Sequence, residues 1–133
     1  MSYDRDFFTD SLTGLCAALC EKAGVVPPAN AAPASKPLLD ELSERYGDFA
    51  ADRVLIYNPD AVGDWVMDKY AGKLQNSLRI APIRHRFVTV FPPKTPVCFA
   101  SMYTGAQPET HGILRYEKPV VTIDSIFDAF IRA

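Results

Sequence analysis

The sequence is short of the residues from which metal centres, disulfide frameworks and polyanion-binding surfaces are built. Only two histidines, His85 and His111, occur in 133 residues, which leaves little imidazole for a metal site. Three cysteines, an odd number, argue against a disulfide framework and for free thiols in a reducing cytoplasm. The formal net charge is −2 and no run of Lys or Arg occurs, so neither a nucleic-acid polymer nor an anionic membrane is an expected partner. No apolar run approaches the length of a transmembrane helix. The opening MSYDRDFFTD is acidic early and lacks the basic-then-apolar layout of a signal peptide. There are no internal repeats.

What is present is 48% hydrophobic and 23% charged, enough for one small domain with a modest core. The most informative stretch is Val90 to Ile113, VFPPKTPVCFASMYTGAQPETHGI. The chain turns at Pro92-Pro93, and Thr95 then stands directly before Pro96. Proline suits the first position of a helix, where its missing N–H costs nothing, and threonine is a favoured N-cap. A short helix is therefore predicted from Thr95 through Phe99 and Ser101 to Tyr103, ending at Gly105. A hydroxyl at that start faces free N–H groups and the positive end of the helix dipole, a natural phosphate site. The plain alternative is an ordinary helix cap with no chemistry.

Thr95-Pro96-Val97-Cys98, then Thr104-Gly105, Pro108-Glu109 and His111-Gly112-Ile113 resemble the nucleophile segment of the alkaline phosphatase superfamily. The nearest branch is that of the type I phosphodiesterases and nucleotide pyrophosphatases. That branch has a Thr or Ser nucleophile, a TG pair nine residues on, then a Pro and an HGI, and the same order and spacing occur here. The resemblance implies that Thr95 is the nucleophile of a metal-dependent phosphohydrolase and also a metal ligand. It implies two zinc ions in the complete enzyme, with manganese or magnesium as alternatives, and a small phosphate ester as substrate. The implied fold is α/β: part of a three-layer sandwich, with a short, mostly parallel sheet between flanking helices.

In chain order, Phe7 to Ala23 is predicted as an amphipathic helix, with Phe8, Leu12, Leu15, Cys16, Leu19 and Ala23 at three- and four-residue steps and Gly24 as its stop. Cys16 and Cys20 lie one turn apart; a shared metal would need a third ligand nearby, so small core-facing residues are the simpler reading. Val25 to Pro37 reads as an extended Pro/Ala linker, followed by a second helix with Leu38, Leu39, Leu42 and Tyr46 on one side and Gly47 as stop. The expectation is a pair of helices on the outside of a sheet. Residues 1–48 thus form an amino-terminal helical part with the linker at 25–37. Residues 49–133 are expected to be the amino-terminal portion of an alkaline-phosphatase-like α/β domain.

Arg53 to Tyr57 (RVLIY) reads as a buried central strand, followed by a turn at Asn58-Pro59-Asp60 and a helix over Ala61 to Tyr70 bearing Val62, Trp65, Val66 and Tyr70 on one face. That puts Asp60 at the carboxyl end of a strand, where ligands bind in open α/β sheets. By itself Asp60 is most simply a helix N-cap. In the superfamily an Asp at this place ligates one of two catalytic metals, although the usual Asp-Gly is here Asp60-Ala61. Strands are also predicted over Phe87 to Phe91 and Pro119 to Ile123. A helix capped by Asp124 or Thr122 is predicted to follow, carrying Ile126, Phe127, Phe130 and Ile131. Arg79, Arg84, His85 and Arg86 form a basic cluster that either meets an anionic substrate or lies on a solvated edge.

Cys98 stands three after Thr95, where the pyrophosphatase branch often has a phosphate-binding Asn, so the resemblance puts it on the substrate side of the site; a thiol is a weaker partner there. His111 is not a recognised metal ligand of that family and reads as structural. The family draws its remaining Asp and His ligands from later sequence, so the expectation is the amino-terminal part of an enzyme, inactive without them. The alternative is a short, non-catalytic α/β domain that binds phosphate or self-associates. Open sheet edges make a homodimer compatible with either.

Overall fold

In a computed structural model, residues 10–133 are described, and seven α-helices account for their regular structure. They are α1 (Gly14–Lys22), α2 (Lys36–Tyr46), α3 (Asp64–Lys69), α4 (Gln75–Ile80), α5 (Thr95–Thr104), α6 (Pro108–His111) and α7 (Ile126–Arg132), with a 3₁₀ turn at Ala71–Lys73.

The expected α/β sandwich is not what forms. Among the described residues there is no sheet, and the only strand pairing is an isolated parallel bridge between Ser11 and Val88. It rests on Leu12 N–H to Val88 O at 2.9 Å and Val88 N–H to Asp10 O at 2.7 Å. The three predicted strands, 53–57, 87–91 and 119–123, run without regular strand pairing. A parallel strand is stable when neighbours satisfy its backbone and both faces are covered. Here helices cover one face only: Val54 and Ile56 are half-buried, whereas Leu55 is 93% and Tyr57 82% exposed. The apolar run RVLIY was legible as hydrophobic; whether anything covers its second face was not. With no sheet present, the amino-terminal helices cannot lie outside one.

Instead α5 is the hub, in contact with α1, α6 and α7. Its buried residues are Val97, Ala100, Ser101 and Thr104, a three- and four-residue spacing that draws one stripe along the helix. Three of the four are small, which lets neighbouring segments approach closely. Gly105 ends α5 with φ +70°, the left-handed conformation that glycine adopts without steric cost. A Cβ there would meet the Ala31 side chain at 2.7 Å, and Ala32 N–H donates to Gly105 O at 2.7 Å, so the Pro/Ala linker is fastened onto the end of α5.

The core has two parts. Cys16, Cys20, Ile126 and Ala129 join α1 to α7, with Leu19, Val25, Ile56, Tyr103 and Phe130 packed against them. Val90, Val97, Ala100 and Ile113 form the second, with Cys98 and Val121 alongside. The core-facing reading of the two α1 cysteines therefore holds. Burial pushes the Cys16 thiol up to about 12, with Cys20 adding to the rise, and burial also raises Cys20.

Several boundaries differ from expectation. Phe7 and Phe8, at the start of the first predicted helix, lie outside the described residues; α1 begins at Gly14 because Leu12 is committed to the Val88 bridge. Helix α2 is capped by Ser35, whose Oγ accepts Leu38 N–H at 3.2 Å, and stops at Gly47 as predicted. Helix α3 starts at Asp64 with Gly63 as its N-cap, so Asp60 is not the cap. Ala61, at φ +57°, cannot continue into a right-handed helix. Helix α7 is capped neither by Asp124 nor by Thr122 but by Ser125, in a capping box with Asp128.

Candidate functional site

The candidate site is the amino-terminal end of α5 and the turn that faces it. Lys94, not Thr95, occupies the N-cap, with extended backbone; Thr95 is the first helical residue and Pro96 follows. No side chain caps the helix, and its first in-helix bond is Cys98 N–H to Lys94 O at 2.9 Å. The one-residue shift matters chemically. Threonine at the N-cap would spend its hydroxyl on a backbone N–H; at the first helical position the Thr95 hydroxyl does not cap.

That hydroxyl reaches Asp60, as Thr95 Oγ1 lies 3.5 Å from Asp60 Oδ1. The two residues singled out as nucleophile and metal ligand, 35 positions apart, are thus brought together. At 3.5 Å the contact is long for a hydroxyl–carboxylate hydrogen bond, which prefers about 2.5–3.0 Å. Asp60 Oδ1 also accepts Ala61 N–H at 2.9 Å.

A complete metal centre does not fit the residues at hand. A catalytic zinc takes about three protein ligands, and Asp60 with Thr95 supplies two. Among the described residues no group of three or more His, Cys, Asp or Glu side chains is arranged to hold a metal. No reaction step is therefore derived through an ion.

Cys98 is half-buried one turn after Thr95, and its Sγ lies 3.0 Å from Thr89 Oγ1. Its packing is with the Val90–Val97–Ala100–Ile113 cluster. His111 is the structural residue its sequence context suggested. It is buried; its Nδ1 accepts Ile113 N–H at 3.2 Å, and its Nε2 lies 2.9 Å from Ser101 Oγ. With Nδ1 accepting, the proton sits on Nε2 and is donated to Ser101. Burial lowers the imidazole's pKa, favouring this neutral form.

Three of the four basic-cluster residues, Arg84, His85 and Arg86, are engaged by acidic side chains. Arg84 bonds Asp64 and reaches Asp68 at 2.7 Å, while Arg86 Nε lies 3.0 Å from Asp64. Burial acts to raise the Asp64 pKa, but the hydrogen bonds and charges of the two guanidinium groups outweigh it and hold the carboxylate low. His85 lies between Asp10 (2.7 Å) and Glu41 (3.0 Å). Arg79 lies in the last turn of α4.

Two contributors went unread in the sequence. Lys94 is the N-cap of α5; its place beside Thr95 was visible and its N-cap position was not. Asn58 Nδ2 donates to the Tyr103 hydroxyl, tying the turn that carries Asp60 to the helix that carries Thr95. That link spans 45 residues, and no local pattern announces it.

Comparison with known proteins gives one finding. Residues 73–120 match the family model described as Type I phosphodiesterase / nucleotide pyrophosphatase. The matched stretch is thereby related to that phosphohydrolase family, and it includes Thr95, Cys98 and His111 but not Asp60. No curated protein and no solved structure matches significantly.

Proposed function

We propose that this chain carries the nucleophile-bearing part of a metal-dependent phosphohydrolase acting on a small phosphate ester. Thr95 is the nucleophile, and Asp60 with Thr95 forms one face of a divalent-metal site. The observation that carries the reading is the 3.5 Å approach of Thr95 Oγ1 to Asp60 Oδ1, with Thr95 inside the family-matched stretch. In this reading the Thr95 oxygen bonds to phosphorus as the P–O bond to the ester's leaving alcohol breaks, and the proton that Thr95 gives up reaches the departing alkoxide oxygen through solvent. The N–H groups at the start of α5 and the Lys94 ammonium meet the phosphoryl oxygens, where fixed donors best offset developing charge. Cys98, whose thiol contacts Thr89, belongs to the substrate side. Bound zinc, or manganese or magnesium in its place, would supply charge stabilisation at the phosphoryl group. The family that the sequence resembles draws its remaining ligands from later sequence, so this chain alone is expected to be inactive. Its three free cysteines suit a reducing cytoplasm.

Calorimetry with Mn²⁺ and Zn²⁺, alongside hydrolysis of a nitrophenyl phosphodiester, tests this reading. The expectation is weak metal binding, lost in both Thr95→Ala and Asp60→Asn, and no turnover by this chain. Metal binding indifferent to both substitutions would sink the proposal.

A second reading, a non-catalytic domain that assembles with another copy of itself, is favoured by uncovered apolar surface. Leu55 (93%), Tyr57 (82%) and Val120 (89%) are exposed on unpaired extended segments. Analytical ultracentrifugation of wild type and Leu55→Lys separates the cases: a dimer abolished by the lysine supports self-association, and a wild-type monomer excludes it.

A further inference from the structure

The turn that presents Asp60 is held from three directions. At its start, the Asn58 side-chain amide donates to the Tyr103 hydroxyl. At its end, Ala61 adopts φ +57°, a left-handed conformation that a residue with a Cβ disfavours. Between them, Asp60 Oδ1 accepts Ala61 N–H at 2.9 Å and lies 3.5 Å from the distant Thr95 hydroxyl. Strained conformations persist where the surroundings over-determine them. Here the surroundings are few, since neither α3 nor residues 59–61 contribute a buried side chain. Among the described residues, the one side-chain hydrogen bond from the turn's own residues to the body of the protein, apart from the Thr95 contact, is Asn58 to Tyr103.

Tyr103 is well placed to serve as an anchor. It lies on α5, the helix that begins at Thr95, so its hydroxyl and the proposed nucleophile share one rigid body. Its ring is clamped by Phe127, with centroids 5.2 Å apart, and by Phe99 at 6.1 Å, and it packs against the α1–α7 core. Its carbonyl oxygen is contacted by the Cys16 thiol at 3.5 Å. A hydrogen bond from so constrained a ring transmits the position of α5 to the turn.

We propose that Tyr103 and Asn58 are positioning residues, which hold the Asp60 carboxylate in register with the Thr95 hydroxyl. The inference rests on the proposed role of that pair. Neither Tyr103 nor Asn58 touches substrate; they act through Asp60. The hydroxyl is what matters, because the aromatic packing of Tyr103 survives its removal.

The test uses Tyr103→Phe, Asn58→Ala and the double variant in the full chain. Backbone ¹⁵N relaxation at Asp60 and Ala61, without metal, reads the brace directly. Order parameters near 0.85 are expected in the wild type and below about 0.6 in each single variant, with no further fall in the double and no change along α5. Mn²⁺ affinity, read by calorimetry, should weaken about tenfold in each single variant, the low end of the range for groups that orient metal ligands. Unchanged order parameters at Asp60 and Ala61 would overturn the brace. Greater mobility with unaltered Mn²⁺ affinity would also overturn it, leaving a merely structural contact. A wild type that binds no Mn²⁺ defeats the metal-site part of the proposed function separately, and relaxation alone then decides the brace.

Discussion

Ser101 and His111 are hydrogen-bonded at 2.9 Å in the interior, and this bond joins α5 to the turn that closes α6. His111 uses both ring nitrogens locally, so the HGI histidine acts as a pin between two helices. Gly112, at φ +80°, permits the turn that brings Ile113 N–H back onto Nδ1.

This pin makes stability depend on pH in a stated direction. Burial lowers the His111 pKa in the folded state, so the unfolded chain takes up a proton near pH 6.5 while the folded chain does not. The contribution is complete above pH 6.5 and is lost as pH falls through that value towards the lower folded pKa. The midpoint of thermal unfolding, followed from pH 7.5 to 5, should therefore fall more steeply in the wild type than in His111→Gln. Parallel curves would show that His111 is not held neutral.

Helix α5 and its neighbours were legible because their signals are local. Pro96 and Gly105 punctuate the helix, and Gly112 and Ile113 place His111 in a turn. Ser125 with Asp128 is equally readable as a capping box three residues apart, whereas Asp124, predicted as a cap alongside Thr122, instead pairs with Arg132 at 2.6 Å. The strands were misread because hydrophobicity at 53–57 does not say how many faces are covered. Thr95 and Asp60 were picked out one at a time; their proximity, like the Asn58–Tyr103 link, depends on long-range packing that spacing does not encode.

The three thiols should differ sharply in reactivity. Cys16 and Cys20 are fully buried, and burial keeps both protonated well above neutral pH, whereas Cys98 is partly accessible. The thiolate is the reactive form. Titration of the native protein with an aromatic disulfide reagent should modify one thiol readily, and Cys98→Ser should remove that phase. The other two should react only on unfolding in guanidinium. Early modification of Cys16 or Cys20 would mean that the α1–α7 core opens in the native state.

Ala61 supplies the most direct check on the geometry beside Asp60. The superfamily that the sequence resembles usually has Asp-Gly at this place, and this chain has Asp60-Ala61 with the alanine left-handed at φ +57°. Glycine adopts that conformation freely, although it also raises the entropy of the unfolded chain, which offsets part of the gain. Ala61→Gly should therefore stabilise the fold by about 0.5–1 kcal/mol, a rise in Tm of about 2–5 °C. Ala61→Val, branched at Cβ, should lower it, since a crowded side chain fits the left-handed region worst. If valine is tolerated and glycine destabilises, Ala61 is not left-handed in solution, and Asp60 then approaches Thr95 by a different path of the chain.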